Sequence, residues 1–571
     1  MEEGLKRFKT LRTALIICFS LILFFTLKLQ IFEGKKYYRL SEENRIKKKY
    51  LTSQRGKIFD RNNREIANTR PGFYVSVIPA LVDTASIEKI SKILNIKREK
   101  ITTRIMSEKN PFLSTKIAHD ISFQQLSMIE EEIEDLRGIE VGVEPVRNYP
   151  YKDLFCHVLG YVAEITKEEL KNYKEYKLGD YIGRTGLEKV YENHLKGRDG
   201  IEYIEVDVYG RELGKVGEYR PLPAQSGKDL FTTLDAELTE STSVFLSNFK
   251  KASAIALNPQ NGEVYVLYSK PGFDPNLFIK GLNEQQWQTL NNPVEAPLIN
   301  RAIMSLYPIG STVKPIIALA ALDAGLINPD KTFIPCKGVF YLGRRPFKCW
   351  KTHGQLRLVD AIIHSCDIYF YQLGRMIGID IISQYLVRFG FGKTTDIDLT
   401  EENKGLVPDR KYLENKYGKN WTEGHIFNIS IGQGDLLATP LQLACAYTLF
   451  ANNGNIIIPH LIKKDKAESR QLVLSPRAIE TIQQGLRGVV STGTGILAQL
   501  ETVDVCGKTG TAENPHGEDH SIFVGYAPPE NPEILVCVVV ENAGHGGSVA
   551  APIAGKIIKT FFVNKGIASY K

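Results

Sequence analysis

Three short groups of residues in the second half of the chain carry side chains suited to acyl transfer. Ser311 and Lys314 stand in Ser311-Thr312-Val313-Lys314, which opens the apolar stretch VKPIIALAALDAG. That placement puts Ser311 at a predicted helix start and Lys314 one turn on, over the same face. A serine there feels the helix dipole, and a buried lysine beside it can lose its proton and serve as base. Pro315 falls in the first turn, where its missing N–H costs little. The second group is Ser365-Cys366-Asp367, in AIIHSCDIYFYQLG. The third is Lys508-Thr509-Gly510-Thr511, directly after a predicted strand VDVC (503–506). Gly507 and Gly510 are expected to let a substrate backbone approach that strand. Thr509, Thr511 and Lys508 supply donors and charge for a substrate carboxylate. Each group alone is common; a chain of this size holds about two Ser-x-x-Lys matches by chance. Their order, each in a suitable element, is the signal.

A second chemistry is written into Cys336, Cys349, His353 and Cys366, spaced C-x12-C-x3-H-x12-C. These are the thiolate and imidazole ligands that tetrahedral zinc prefers. The stretch PCKGVFYLGRRPFKCWKTHG has no long apolar run to order it as a loop, and a metal supplies that order. A Cys336–Cys349 disulfide and unpaired buried thiols are the alternatives. Cys18 falls in the apolar amino-terminal span described below, and Cys445 and Cys537 sit in apolar runs and read as buried small hydrophobes. His516, His520 and His545 read as solvated or hydrogen-bonded loop side chains rather than as ligands.

The elements that must position these groups begin near residue 226. TTLDAELTESTSVFLSNF is an amphipathic helix, and Asp235 near its start is favoured there. ASAIALN and EVYVLYS, joined through Asn261-Gly262, form a hairpin. A mainly helical block follows, roughly 311–449, then the strands SIFVGYAP and EILVCVVVEN and a closing helix from Ala551. Strands, helices, then strands closed by a helix predict an α+β fold: an antiparallel sheet flanked by helices, with an inserted all-helical subdomain. Residues 33–225 mix charged helical and strand-like pieces and read as a separate α+β module of modest core. Pro221–Lys228 is the expected boundary.

Thr13–Phe32 is twenty residues broken only by Lys28, about 30 Å as a helix, enough to span a bilayer. Lys28 can snorkel to the headgroups. Lys6, Arg7, Lys9 and Arg12 precede the span and predict a cytoplasmic tail at 1–12, with everything after 32 on the far side. No small-x-small site follows, so an uncleaved anchor is expected rather than a signal peptide. The net charge of +7 over 571 residues does not argue for nucleic acid.

Ser-x-x-Lys, Ser-x-Asp and Lys-Thr-Gly in this order resemble the penicillin-binding proteins and serine β-lactamases. Arg55-Gly56-x-Ile58-x-Asp60-Arg61, Gly186-Leu187-Glu188 and Phe273-Asp274-Pro275 resemble the monofunctional class B members. FKCWKTHG, SCDIYFYQLG and ENAGHGGSVAAPIAG look most like the penicillin-binding protein 2 branch, the elongation transpeptidases. Ile309 departs from a usual second proline. The resemblance implies a D,D-transpeptidase in which Ser311, deprotonated by Lys314, attacks a D-alanyl-D-alanine stem peptide of peptidoglycan. Ser365 relays a proton with help from Lys508, and backbone N–H groups of Ser311 and Thr511 form the oxyanion hole. Asp367 replaces a common asparagine. The resemblance also implies β-lactam binding, residues 33–225 as a pedestal, and a RodA-type lipid-linked polymerase and other elongation-complex proteins as partners. It places the catalytic domain (226–571) in the periplasm and zinc at the Cys/His cluster. A D,D-carboxypeptidase, and a penicillin-sensing or polymerase-activating protein, are the alternatives. No Glu-x-x-Leu-Asn loop of the kind that positions a deacylating water is found.

Overall fold

The computed structural model describes residues 2–566 apart from 108–110, 113, 178, 208–211, 217–218 and 516. Helix α1 (Glu2–Leu27) continues through a π-helical turn, Lys28–Phe32, and neither contains a buried residue. The 31-residue helix has a mean hydropathy of 2.3 over its most apolar window, long and apolar enough to cross a membrane.

The chain folds as two compact units. The first comprises Met1–Arg55, Pro71–Val146 and Lys196–Gly227. Its core sets Ile90, Leu94 and Ile129 against Val75, Val77, Ala118 and Ile121. Two helices supply the first three. Thr84–Leu94 starts where Asp83 accepts from Ser86 N at 2.8 Å, and Phe123–Glu131 starts at a Ser122/Gln125 capping box. Ile46–Leu51, Gly200–Val206 and Glu212–Lys215 form an antiparallel sheet in the same unit.

The second unit comprises Gly56–Arg70, Arg147–Leu195 and Lys228–Lys571. Two pieces of the 33–225 stretch therefore cluster with the later residues. Inside them, buried Arg147 donates to Glu188 Oε1 at 2.6 Å and to Gly56 O at 2.6 Å.

The sheet of this unit begins with β1 (Ala252–Leu257) and β2 (Val264–Lys270), the hairpin expected through Asn261-Gly262; Gly262 has φ 84°. A 3-10 turn at Gly310–Val313 then runs into α2 (Lys314–Asp323). Ser311 thus lies in a tight turn just before the α-helix, with Pro315 in the helix's first turn. The stretch expected as a loop contains a two-stranded hairpin, β3 (Val339–Leu342) and β4 (Arg345–Lys348). Its inward pair, Phe340 and Phe347, contacts Phe427, and aromatic anchoring replaces the missing apolar run. Next come α3 (Asp367–Arg388), α4 (Glu423–Ser430), α5 (Pro440–Ala451) and α6 (Pro476–Ser491). The chain closes with β5 (Cys506–Ala512), β6 (His520–Ala527), β7 (Ile534–Val540) and α7 (Ala550–Asn564).

The sheet order is β2-β1-β7-β6-β5, antiparallel throughout, with β5 at the edge. All seven residues of β7 are buried, and α5 and α7 both pack against it, so the strand reads as a continuous apolar run rather than an alternating one. On the α7 side, Ile553, Ile557 and Phe561 meet Val536, Val538 and Tyr265. The strand predicted at 503–506 instead starts at Cys506 and runs through Lys-Thr-Gly to Ala512. Its two glycines, Lys508 and Ala512 dilute the strand signal of its threonines; pairing with β6 (Lys508 with Val524, Gly510 with Ile522) makes it a strand.

Candidate active site

The Ser311 turn is held by close backbone packing. Gly310 has φ 55° and Gly432 φ 78°, both in the left-handed region that favours glycine. A Cβ on Gly432 would lie 2.0 Å from Gly310 O, and one on Gly310 would lie 2.5 Å from Thr511 O. Gly310 N donates to Gly432 O at 2.9 Å. The turn, the Gly432-Gln433-Gly434 loop and β5 therefore meet at backbone distance. Gly510 serves this packing: a Cβ there would sit 2.9 Å from Ile309 O and from the Thr312 methyl. A Cβ on Gly507 would lie 2.5 Å from the Phe523 ring. These glycines admit the protein's own chain, which corrects the reading that they make room for a substrate. Thr312 is clamped twice, its Oγ1 donating to Ile309 O (2.6 Å) and its carbonyl accepting from Tyr447 OH (2.7 Å).

Lys314 and Lys508 are both fully buried. Lys314 Nζ donates to Ser365 O (2.8 Å), Ser365 Oγ (3.1 Å) and Asp367 Oδ1 (2.7 Å). Lys508 Nζ lies 3.0 Å from the same Ser365 Oγ and 3.1 Å from Thr509 O. The Ser365 hydroxyl is thus flanked by two lysine nitrogens. Ser365 is held at φ 52°, a conformation that costs a non-glycine residue on the order of 1–3 kcal/mol and is retained only where surrounding structure enforces it. Burial drives Lys508 well below its ordinary pKa; the Lys314 charge adds to the drop and Asp367 opposes it. Asp367, the first residue of α3, has a carboxylate oxygen committed to Lys314.

β5 presents its open edge to this cluster. Thr511 O accepts from Gln433 Nε2 at 2.9 Å, so the carbonyl points off the sheet, and the N–H of a strand residue points to the same side. Thr509 Oγ1 is within 2.7 Å of Thr494 Oγ1, and Thr511 Oγ1 accepts from Gly546 N at 3.3 Å. Gln433 and Thr494 were not singled out from the sequence. The glycines flanking Gln433 were the available signal, since two glycines around one polar residue mark a backbone crossing. His520 Nδ1 accepts from Asn542 N at 3.1 Å, His545 accepts through its carbonyl, and His516 lies outside the described residues.

Directly behind Ser365 and Asp367, the ligand atoms of Cys336, Cys349, His353 and Cys366 lie within 4.8 Å of one another. His353 Nδ1 is 3.6 Å from Cys336 Sγ and 3.5 Å from Cys349 Sγ. With zinc bonds of about 2.0–2.1 Å to nitrogen and 2.3 Å to sulfur, a tetrahedral site places those atoms about 3.6 Å apart. The donor set and spacing fit the ion, and all eight cysteines are free thiols. The cluster touches the site beside it: Asp367 N donates to Cys349 Sγ at 3.3 Å. Cys349 is lowered to about 5, first by its hydrogen bond with Cys366, whose own thiol is raised.

Two family models match the chain, one on each side of residues 233–251. Residues 252–559 match the penicillin binding protein transpeptidase domain, and residues 50–232 match the penicillin-binding protein dimerisation domain. The peptidoglycan D,D-transpeptidase MrdA of Acinetobacter baumannii is 33% identical, the match covering 94% of this chain and 84% of that protein. A penicillin-binding protein 2 solved in complex with MreC from Helicobacter pylori superposes with a TM-score of 0.81 at 28% identity, covering 92% of this chain and 100% of that one. A chain solved in a peptidoglycan synthase complex that couples polymerisation and cross-linking superposes with a TM-score of 0.74 at 26% identity, covering 99% of each.

Proposed function

The chain belongs to the penicillin-binding protein 2 family and is a serine-type peptidoglycan D,D-transpeptidase, and from that premise we propose that Ser311 is its nucleophile. The observation that carries the assignment is the row Lys314–Ser365–Lys508 beside the Ser311 turn. A neutral Lys508 accepts the Ser365 hydroxyl proton while Ser365 takes one from the Lys314 ammonium. Lys314, now neutral, removes the Ser311 proton as Oγ attacks the penultimate D-alanine carbonyl. The oxyanion is received by the N–H groups of Ser311 and Thr511. Protonation back through Ser365 releases D-alanine, and the amine of a neighbouring stem peptide then displaces Ser311 to form the cross-link. Asp367 steers Lys314, and Thr509, Gly510 and Thr511 form the strand edge along which the stem lies. A β-lactam is expected to acylate Ser311 by the same route. The test is mass-spectrometric mapping of a labelled penicillin on the purified chain: the adduct is expected on Ser311 and absent from Ser311→Ala. An adduct elsewhere would overturn the assignment.

We further propose that Cys336, Cys349, His353 and Cys366 hold a structural zinc ion. It supplies no chemistry to the reaction; those ligands fix the position of Ser365 and Asp367. α1 is proposed as an anchor in the bacterial cytoplasmic membrane, with residues 1–12 in the cytoplasm and 226–571 in the periplasm. The module at 33–225 is proposed as a pedestal that engages a RodA-type polymerase and other elongation proteins. The relatives solved with MreC and in a synthase complex support that reading. The full chain is expected to co-purify with such a polymerase from detergent extracts, and failure to do so counts against it.

A further inference from the structure

From Lys331 to Val359 the chain carries no acidic residue, yet it holds Lys337, Arg344, Arg345, Lys348 and Lys351 around the β3–β4 hairpin. All five are exposed, and none is in an ion pair with an acidic side chain among the described residues. A protein of net charge +7 over 571 residues has ample acidic side chains to interleave, so a run of this kind concentrates positive charge on the hairpin.

The hairpin is also rigidly placed. Phe347 packs against Phe427 and Tyr371, with ring centroids 5.0 and 5.6 Å away, and Tyr371 OH donates to Lys348 O at 3.1 Å. The segment after β4 reaches the candidate site, since Cys349 Sγ accepts from Asp367 N. Beside it Trp350 is 60% exposed, yet its indole N–H is tied to His364 O at 3.1 Å, one residue before Ser365. Its ring meets His353 edge-on at 5.2 Å. A large aromatic held in place but left open to solvent offers an apolar face at fixed distance from the site.

We propose that this hairpin is a binding surface for the peptidoglycan strand itself, outside the pocket that takes the scissile dipeptide. Lys337, Arg344, Arg345, Lys348 and Lys351 attract the free carboxylates of the stem peptides, and Trp350 receives an apolar or sugar face of the strand. The inference rests on the transpeptidase reading above, because only a polymeric substrate reaches beyond the reacting residues. Such a surface raises the local concentration of anionic strands and leaves a small β-lactam unaffected.

The experiment uses the full chain in detergent with two readouts: penicillin acylation, and binding of soluble uncross-linked glycan strands that carry stem peptides. In the triple variant Arg344→Glu/Lys348→Glu/Lys351→Glu, acylation is expected at the wild-type rate. Strand binding at low salt is expected to weaken by about 10-fold or more, since three attractive contacts become repulsive. Strands with amidated carboxylates are expected to bind wild type and variant equally weakly. If reversal disturbs folding, Arg344→Gln/Lys348→Gln/Lys351→Gln is the second variant, with a smaller loss in the same direction. Unchanged strand binding with intact acylation overturns the inference, as does a loss confined to anionic phospholipid vesicles, which would make the patch a membrane contact. Failure of the wild-type chain to be acylated at Ser311 overturns the nucleophile assignment instead, so the two failures are distinct.

Discussion

Lys314 spends its three donors on Ser365 and Asp367 and none on Ser311, so in the proposed role of general base it must be freed of a proton before it can act. Lys508 is the group placed to take that proton through Ser365. Its pKa is lowered, so it stays neutral further below 10.5 than a solvated lysine does. As pH falls through that lowered value Lys508 becomes charged, and the acylation rate is expected to fall with it. Lys508→Arg, charged at every working pH, is expected to be slow throughout and to lose that acid limb. A variant with the wild-type pH profile would remove Lys508 from the relay. The linked effect on stability has a definite sign. The unfolded chain keeps this proton up to about 10.5 and the folded chain releases it earlier, so this group makes the fold more stable as pH rises through that window. The sequence made Ser311, Lys314, Ser365 and Lys508 visible because their spacing follows the chain. For Gln433 it offered only the flanking glycines and for Thr494 nothing, since both meet β5 through contacts between segments 78 and 15 residues apart. Nor could it show that Gly510 faces Ile309, since a glycine's neighbour is decided by packing.

Elements built on local chemistry were readable, and elements built on tertiary pairing were not. The β1–β2 hairpin has its Asn261-Gly262 turn and α7 its repeating apolar face, so both were legible. β5 was misplaced because its strand character comes from β6. The β3–β4 hairpin was read as a loop because two phenylalanines, rather than an apolar run, seat it on Phe427. The same region makes zinc testable at the element scale. Cys336 lies before β3, Cys349 just after β4, and Cys366 caps α3, so one ion would tie hairpin to helix. The chain purified without chelator is expected to hold about one equivalent of zinc. Cys336→Ser is expected to lower the zinc content, the melting temperature and the penicillin acylation rate together, because Asp367 N rests on Cys349 Sγ. Less than about half an equivalent, with Cys336 and Cys349 found oxidised to each other, would remove the metal from the account.

At the scale of the whole molecule, the two units divide labour by what they bury. Every candidate catalytic residue and every cluster cysteine lies in Lys228–Lys571, within the second unit, whose sheet and α7 share a buried apolar core. α1 belongs to neither core, since none of its residues is buried, although Leu15, Phe19, Ile22 and Phe24 are each more than half exposed. A helix with so much apolar surface and none of it buried among the described residues is covered favourably by a bilayer, which is the basis of the proposed anchor. Nothing in the catalytic core is lost if α1 is removed. Deleting residues 1–32 is therefore expected to move the chain from the membrane pellet to the supernatant after an alkaline wash, while penicillin acylation at Ser311 keeps its rate. Acylation is the decisive second readout, because a misfolded truncate would also leave the membrane but would not label. Persistence of the truncated, labelling-competent chain in the washed pellet would show that surfaces other than α1 hold the protein to the membrane.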